Sequence, residues 1–507
     1  MSVARLAPAL LLCAFVSGQE PESPIFRTST RLVQVDVVVK AKDAPVEGLT
    51  KDDFEVRDSG KPQKIEVFSV RAITTPVTVQ PLPKGVVSNR PIARGPEPVS
   101  ATVVLIDSQN TAPEDQGFAR LQALKYLDRA KRNESIAVYS LDTTLHVLQE
   151  FTDDQALLRK AINGFHMTQS LNMQDAQGGL LSGLTGNGAN AMRAANFQRQ
   201  ADINTSAFTS IALHLTGLPG RKKFIWITAA PPLTFTQDNE RNGSTMTEFT
   251  NLSAQIYKPM KLMNDANVAI YPIDPRGVLV SRTDPGITTM IRLAEMTGGK
   301  AYYGDNDLTI GIEEAFNDTD LTYTLGFYPT EQGIDGSIHS ITVKVNRSGA
   351  DARYRKSYTS ENASKPPTAK ELKGTLNGWV QQPLEATEIG IQAAAVPAIN
   401  KPGYYDVEVG IDPASLKLEQ KNGRFTGVFE IAIVPDVENK PKGLHQTIKV
   451  NLTQERYLTA LERGILVINQ IRVTNSKGKL LAKKLHLVVM DQATGKTGSV
   501  RIPIESK

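Results

Sequence analysis

Cysteine is almost absent from this chain. Its single cysteine, Cys13, lies in an apolar stretch near the N-terminus. Once that stretch is removed, the remaining chain can form no disulfide, no thiolate nucleophile and no cysteine-ligated zinc site. An exported chain without cysteine is more typical of a bacterial envelope than of a disulfide-rich animal secretion.

Long hydrophobic runs are also lacking. Arg5 precedes a short apolar run, Leu10 to Val16, and the small residues Ser17 and Gly18 follow. This order predicts a secretory signal over residues 1–18, with the mature chain beginning at Gln19. The alternative is an uncleaved anchor, but the run is too short to cross a bilayer. The sequence therefore predicts a secreted or periplasmic protein without a stable membrane span.

No single sign of charge dominates the sequence, and the common catalytic motifs are missing. The formal net charge is +4, and no basic stripe alternates with aromatic residues, so nucleic acid is not a predicted partner. There is no HExxH motif, no GxSxG elbow and no complete phosphate-binding loop, and the histidines lack ligand spacing. Thr297-Gly298-Gly299-Lys300 precedes a predicted strand and is interpreted as a helix-ending turn. These features predict a protein that is not an enzyme.

Proline clusters and strand patterns divide the chain into regions. Val33, Val35, Val37 and Val39 alternate as in a half-buried strand, whereas prolines recur throughout 71–100. The strands at 321–358 are candidates for pairing with the N-terminal strands. The predicted regions are a signal peptide (1–18), an N-terminal β module (26–70), a Pro-rich linker (71–100), an α/β domain (101–330), further strands (331–358), a second linker (359–371) and a C-terminal antiparallel β-sandwich (372–507).

Strands and helices alternate between residues 101 and 330. This alternation predicts a doubly wound, mostly parallel sheet with helices on both faces. Only Thr143 and Thr144 separate the strand ending at Leu141 from the next one, which is too short for a crossover, so these two strands are predicted to pair antiparallel at an edge. The first helix, 116–132, is predicted to be amphipathic, with apolar residues at near-helical spacing: Phe118, Leu121, Leu124 and Leu127.

Polar residues follow the first strand of this region where it ends. In ATVVLIDSQNT, Asp107 ends the strand, and Gln109 and Thr111 follow at intervals of two residues. Oxygen ligands at a strand end suit a hard divalent cation such as Mg²⁺, which Asp274 would help to bind because it ends the strand VAIYPID on the same edge. Asp142 is a further candidate for this edge. The alternative role for Asp107 is structural, as a strand-end aspartate that caps the helix or binds loop amides.

The region 101–330 resembles a von Willebrand factor type A domain. In that family the pattern Asp-x-Ser-x-Ser forms the metal-ion-dependent adhesion site; Asp107 matches its first position, Gln109 departs from the second, and Thr111 keeps a hydroxyl at the third. The family's later aspartate has no counterpart, because Ala229-Ala230-Pro231-Pro232 follow the strand KKFIWIT. The resemblance therefore implies a degenerate site that binds Mg²⁺ weakly. Candidates for the family's loop threonine are Thr185 and Thr205.

The chain resembles more specifically the von Willebrand factor A-related domain family found mainly in Acidobacteria. This resemblance covers about residues 26–358 and implies an exported protein with a binding role. The matching segments are VQVDVVVKAKDAPVEGLTKDDFEV, DSGKPQKIEVFSV, VVLIDSQNT, LQEFTDD, GLPGRKKFIWIT, VAIYPIDPRGV, LAEMTGGKAYY and YTLGFYP.

Three functions are open at this point. The first is an exported, non-enzymatic binding or adhesion-type protein that recognises a protein or cell-surface ligand through the edge near Asp107. The second is a metal-assisted hydrolase that uses Asp107 and Asp274, although a positioned base or nucleophile is missing from the sequence pattern. The third is a structural envelope protein with a vestigial site, which an exposed apolar patch at the sheet edge would disfavour.

Overall fold

The computed structural model describes most of the chain between residues 32 and 504. The predicted signal peptide lies outside this part. The described ranges are 32–42, 44–72, 82–90, 101–129, 134–165, 187–218, 220–229, 254–279, 284–305, 321–329, 338–360, 368–399, 401–437, 443–474 and 479–504.

The N-terminal region is made of strands, as its alternating valines predict. Val35 and Val37 are fully buried in the first strand, and the polar residues between them lie on the other face. The strands are β1 (Val33–Ala41), β2 (Ala44–Pro45), β3 (Phe54–Asp58), β4 (Lys61–Gln63), β5 (Ile65–Ala72) and β6 (Val86–Ser88).

The central region forms a mixed five-stranded sheet. Its strand order is β11-β10-β7-β8-β9, in which β8 and β9 pair antiparallel, as predicted from their short connection, and the other neighbours pair parallel. One apolar cluster joins the sheet to α3, α4 and α5, and a second joins it to α1 and α2, so helices cover both faces. The elements are β7 (Ala101–Asp107), α1 (Pro113–Arg129), β8 (Ser135–Leu141), β9 (Leu145–Thr152), α2 (Gln155–Asn163), α3 (Asn187–Leu215), β10 (Lys222–Ile227), α4 (Ala254–Asp265), β11 (Val268–Ile273) and α5 (Pro285–Thr297).

The buried face of α1 agrees only in part with the predicted one: Leu127 is buried and Leu124 is partly buried, as predicted. Phe118 and Leu121 are exposed, with 57% and 45% of their surface accessible. The helix instead turns the small residues Ala119 and Ala123 towards the sheet, which allows close packing, and its apolar spacing alone did not identify this face. The apolar side chains that α1 buries fully are Ala119, Ala123, Tyr126 and Leu127.

The chain returns to the N-terminal strands after the central region. Strand β12 lies between β1 and β5 and pairs antiparallel with both, in line with the pairing considered for residues 321–358, although the predicted α/β region extended to residue 330. Strand β13 pairs with β3 on one side and with β15 on the other. The elements are β12 (Leu321–Phe327), β13 (Ile338–Val345), β14 (Asp351–Arg353) and β15 (Ser357–Thr359).

The C-terminal region contains two antiparallel sheets that share one buried apolar cluster. The first has the order β6-β16-β17-β21 and takes β6 from the segment predicted as a linker. The second contains β18, β19, β20, β22 and β23. The elements are α6 (Ala369–Trp379), β16 (Ile391–Pro397), β17 (Tyr404–Ile411), β18 (Glu419–Lys421), β19 (Arg424–Pro435), β20 (Leu444–Thr453), α7 (Gln454–Arg463), β21 (Ile465–Arg472), β22 (Lys484–Asp491) and β23 (Thr497–Pro503).

Both β-rich parts contact the central region away from the carboxyl ends of its parallel strands. Asn267, just before β11, donates to the carboxylate of Asp36 in β1 at 2.6 Å. At the end of α3, the backbone carbonyl of His214 accepts a hydrogen bond from the Thr387 hydroxyl at 2.9 Å. These two contacts lie away from the carboxyl ends of the parallel strands. None of the helices described here is long and apolar enough to cross a membrane.

Candidate functional site

Asp107 ends β7 in a fully buried position. Its Oδ2 atom accepts hydrogen bonds from Asn110 Nδ2 at 2.7 Å, Thr228 Oγ1 at 2.9 Å and Trp226 Nε1 at 3.1 Å. Its Oδ1 atom accepts one from the backbone N–H of Asn110 at 3.1 Å. Burial raises the pKa of Asp107, and these four hydrogen bonds oppose the rise. The carboxylate therefore ties the loop after β7 to the neighbouring strand β10.

The loop after Asp107 is held against α3. Gln109 Nε2 donates to the backbone carbonyl of Gln200 at 3.2 Å, and the Asn110 amide contacts Asn204 at 3.1 Å. Several buried oxygens of this area have no hydrogen-bond partner among the described residues, so the loop keeps unused acceptors: Gln109 Oε1, Asn110 Oδ1, Thr111 Oγ1 and Thr205 Oγ1. The other candidate threonine, Thr185, lies outside the described residues.

Asp274 lies at the end of β11, where the sequence placed it, but its carboxylate is already paired. Arg276 donates to it through Nε, at 3.1 Å to each carboxylate oxygen, and through Nη2 at 2.7 Å to Oδ2. The same guanidinium reaches the backbone carbonyl of Ala229 at 2.5 Å and Asp284 at 3.3 Å. Burial raises the pKa of Asp274, and the hydrogen bonds and charge of Arg276 oppose that rise. Arg276 thus joins the loops after β10 and β11 to the start of α5.

Arg276 was missed by the sequence reasoning. The available signal was its position two residues after Asp274 in the segment IDPRGV, where a guanidinium can fold back on a strand-end carboxylate. Asp284, which caps α5 by accepting from the N–H of Gly286 at 2.7 Å, gave the usual signal of a helix start before Pro285.

Asp142 follows β8 at the same side of the sheet but is engaged in its own turn. Its Oδ1 accepts from the N–H of Thr144 at 2.9 Å and contacts His146 Nε2 at 3.0 Å. These bonds, together with the charge of His146, hold the pKa of Asp142 below its usual value although burial acts in the opposite direction. The structure therefore does not bring Asp142 into contact with the carboxylates of Asp107 or Asp274.

These residues do not fit a divalent cation on Asp107 or Asp274. Trp226 Nε1–H can only donate, so it holds an acceptor position that a metal would need. At Asp274 a guanidinium charge already neutralises the carboxylate and would repel a second cation. The unused oxygens nearby are neutral, whereas Mg²⁺ sites in proteins use one or two carboxylates. Within the described ranges, no three histidine, aspartate or glutamate residues are grouped so that they could hold a metal.

We use the name strand-end edge for residues 107–112, 228–229 and 274–279, most of which are buried beneath the ends of the strands. Its exposed side chains are Val278, which is 60% accessible, and in part Arg276, and Phe118 in the second turn of α1 is a further exposed apolar side chain. Helix α3 borders this edge. The backbone of Gln200 contacts the loop after β7, and residues 187–199 continue the helix for about 20 Å beyond that contact. Asp115, at the start of α1, has its pKa raised by burial and by Glu114, while Arg276 opposes the shift.

The chain has weak structural likenesses to several solved proteins. At 12% identity and a TM-score of 0.27, 43% of it aligns with 98% of an aerotolerance-related membrane protein from Bacteroides fragilis. At 10% identity and a TM-score of 0.26, 65% of it aligns with 80% of a von Willebrand factor type A protein from Catenulispora acidiphila. At 11% identity and a TM-score of 0.26, 44% of it aligns with 46% of proximal thread matrix protein 1 from the mussel byssus, whose metal-ion-dependent adhesion site holds zinc.

No protein-family model matches the chain, and no match is found among curated proteins. At these TM-scores and identities, the structural likenesses give no basis for transferring a function to the chain.

Proposed function

We propose that this protein is an exported, non-enzymatic binding or adhesion-type protein that recognises a protein or cell-surface ligand through the strand-end edge. The observation that carries the proposal is a pair of exposed apolar side chains, Phe118 and Val278, near the partly exposed Arg276, above a buried polar layer that Asp107 and Arg276 hold in place. Exposed apolar side chains beside fixed polar groups are typical of protein-binding surfaces. The described contacts of both β-rich parts with the central region, through Asn267 and His214, lie away from this edge.

The proposed binding does not use a divalent cation. The degenerate adhesion site keeps Asp107, Gln109 and Thr111, but Asp107 serves as an internal acceptor and Arg276 supplies the positive charge beside Asp274. This arrangement gives no support to the hydrolase alternative, because the two aspartates it needs have their carboxylate oxygens occupied by internal donors. The remaining alternative, a purely structural envelope protein, predicts no ligand at the edge.

The proposal is tested by retention of envelope components on the immobilised protein. Phe118→Asp and Val278→Asp place a charge on the proposed surface without touching its buried polar layer. Ile399→Asp is the matched control, because Ile399 is 94% accessible and lies after β16 in the C-terminal region. We expect the two edge variants to lose a component that wild type and the control retain, with equal retention in Mg²⁺ and in EDTA.

Retention that is unchanged in both edge variants would refute binding through this surface. Retention that disappears in EDTA would instead show a cation-dependent site, against the assignment of Arg276 as the fixed positive charge. A component lost equally in the Ile399→Asp control would point to the C-terminal region.

We propose further that the chain is secreted or periplasmic, that it belongs with the von Willebrand factor A-related proteins it resembles, and that its C-terminal part is an antiparallel β-sandwich. The support for export is the signal-like order of Arg5, the apolar run and Gly18. Intact-mass measurement of the protein from its host is expected to show the loss of residues 1–18. A full-length species in the cytoplasm would contradict export and with it an envelope ligand.

A further inference from the structure

Strand β21 is the outer strand of its sheet in the described part of the chain. It pairs antiparallel with β17 along its whole length, from Ile465 opposite Ile411 to Arg472 opposite Tyr404. A strand paired on one side presents a row of backbone N–H and C=O groups on the other. Such an edge can accept a further strand, and the side chains on its two faces decide which strand fits.

The exposed face of β21 is apolar in its first half, at Leu466 and Ile468, and polar in its second half, at Gln470 and Arg472. Leu466 and Ile468 are 65% and 59% accessible, and the residues between Ile465 and Ile471 carry no charge. The neighbouring strand does not cover these side chains, because Leu466 lies opposite Gly410, which has no side chain, and Ile468 lies opposite Glu408. Leu458 and Leu461 in the preceding helix α7 are also exposed.

Strand β20 in the second sheet of the same region has the polar exposed residues that protect an outer strand from further pairing. Among the described residues β20 pairs only with β19, and its exposed residues are polar or charged, which is the usual protection of a free edge. The exposed residues of β20 are His445, Gln446, Thr447, Lys449 and Asn451. Strand β21 lacks this protection, although the two strands are separated only by α7.

We propose that β21 pairs with β21 of a second copy of this chain, about a two-fold axis. An antiparallel register centred on Val467 places Leu466 of each copy opposite Ile468 of the other, so both aliphatic side chains become covered. Arg472 lies at one end of β21 and Glu462 in the helix before its other end, so the antiparallel arrangement places opposite charges at each end of the contact. A two-fold contact of this kind is closed, because each copy uses the same strand and no free edge remains to extend a fibre.

The dimer carries two strand-end edges, and this consequence rests on the proposed function. Two linked binding surfaces raise the apparent affinity for a ligand that is repeated on a surface, provided that both edges can reach it. The dimer itself does not depend on any ligand, so its test is independent of the binding experiment above.

The test is the mass of the protein in solution, measured by light scattering after size exclusion across a range of concentrations. We expect wild type to approach twice the chain's mass of 55.2 kDa, less any removed signal peptide. Leu466→Lys and Ile468→Lys each place a charge opposite an aliphatic side chain of the other copy, with the two introduced lysines diagonal to each other across the two-fold axis, and both are expected to give monomer. Gln446→Lys on β20 is the matched control and is expected to remain dimeric.

Ile468→Thr keeps a β-branched side chain suited to a strand and covers the case in which a lysine variant fails to fold. We expect it to shift the equilibrium towards monomer while its thermal unfolding stays close to that of wild type. Wild-type monomer at every concentration would overturn the proposal, including the case in which the edge instead takes an extended segment of another protein. A dimer that survives both lysine substitutions would also overturn it, because the contact would then lie elsewhere.

Discussion

Replacing Asp107 with alanine is expected to destabilise the central region without removing any ligand contact. The substitution takes away the common acceptor of Asn110, Thr228 and Trp226, whose donor atoms lie 2.7 to 3.1 Å from the carboxylate. The Thr228 hydroxyl can rotate to another acceptor. The Trp226 Nε1–H and the backbone N–H of Asn110 are fixed and stay buried without a partner.

The magnitude follows from these two orphaned donors. A buried donor without an acceptor costs about 1–3 kcal/mol, so the pair costs about 2–6 kcal/mol. Part of this loss is offset, because burial already raises the pKa of Asp107 and so makes its charged form expensive to keep. We therefore expect the free energy of unfolding to fall by about 2–4 kcal/mol, or roughly 10 °C in Tm for a unit of this size.

Asp107→Asn separates the acceptor role from the charge. The amide keeps one oxygen that can accept from Trp226 Nε1, but its NH₂ group faces the backbone N–H of Asn110, which also donates. We expect about half the loss seen for alanine. Asp128→Ala is the control, since Asp128 is an exposed aspartate on α1 paired with Arg159, and exposed positions change stability by only about 0.5 kcal/mol.

The assay is urea unfolding followed by tryptophan fluorescence, in Mg²⁺ and in EDTA. Trp226 donates to Asp107, so its emission reports on the contact that is being removed. A loss below about 1 kcal/mol for Asp107→Ala would refute the reasoning from orphaned donors. Stabilisation of wild type by Mg²⁺ that is absent from Asp107→Ala would refute the assignment of Asp107 as an internal acceptor.

Further predictions concern charge, pH and backbone space. Arg276→Gln should lower Tm by several degrees, and adding Asp274→Asn should restore part of the loss in a double-mutant cycle; additive effects would contradict the pairing. Burial raises the pKa of Glu385 to about 7, so between about pH 4.5 and 7 the unfolded chain loses this proton while the folded chain keeps it. The free energy of unfolding should therefore fall by on the order of 3 kcal/mol as pH rises through this range. Glu385→Gln should flatten this slope in pH-dependent denaturation, and an unchanged slope would exclude Glu385 as its source. Burial lowers the pKa of His486 to about 4, so the free energy of unfolding should fall as pH decreases from about 6.5 to 4, because the unfolded chain takes up a proton that the folded chain does not. In His486→Gln the loss of stability between pH 7 and pH 5 should be smaller than in wild type, and an equal loss would exclude His486 as its source. Gly299→Ala would place a Cβ atom 1.9 Å from a backbone carbonyl of β11 and should unfold at a Tm at least several degrees lower; wild-type stability would show that the turn can shift at no cost.

The sequence identified much of the central region because its signals are local. Apolar runs ending in Asp107, Ile227 and Ile273 give buried parallel strands, since a strand covered on both faces has no polar side to alternate with. The two-residue connection Thr143-Thr144 forced an antiparallel pair. Gly298, with φ of 77°, ends α5 in the left-handed conformation that the sequence pattern predicted for a helix-ending turn.

Contacts between residues far apart in the chain were harder to predict. Strand β12 joins β1 and β5 across more than two hundred residues, and β6 joins β16 from within a proline-rich segment. The sequence named residues 321–358 as candidates for pairing with the N-terminal strands, but it specified neither the neighbours of β12 nor any pairing of β6, because pairing depends on which edges remain open after the rest of the chain has folded.

For the candidate site, the sequence by itself determined the residue types at the strand ends and their place on one edge. Only the tertiary structure decided what those residues do. Asp107 became an internal acceptor because Trp226 and Thr228 lie beside it on β10, and Asp274 became part of an ion pair because Arg276 folds back over it. A carboxylate next to a strand end is compatible with metal binding or with internal hydrogen bonding, and the donors that the fold brings within 3.1 Å select between these roles.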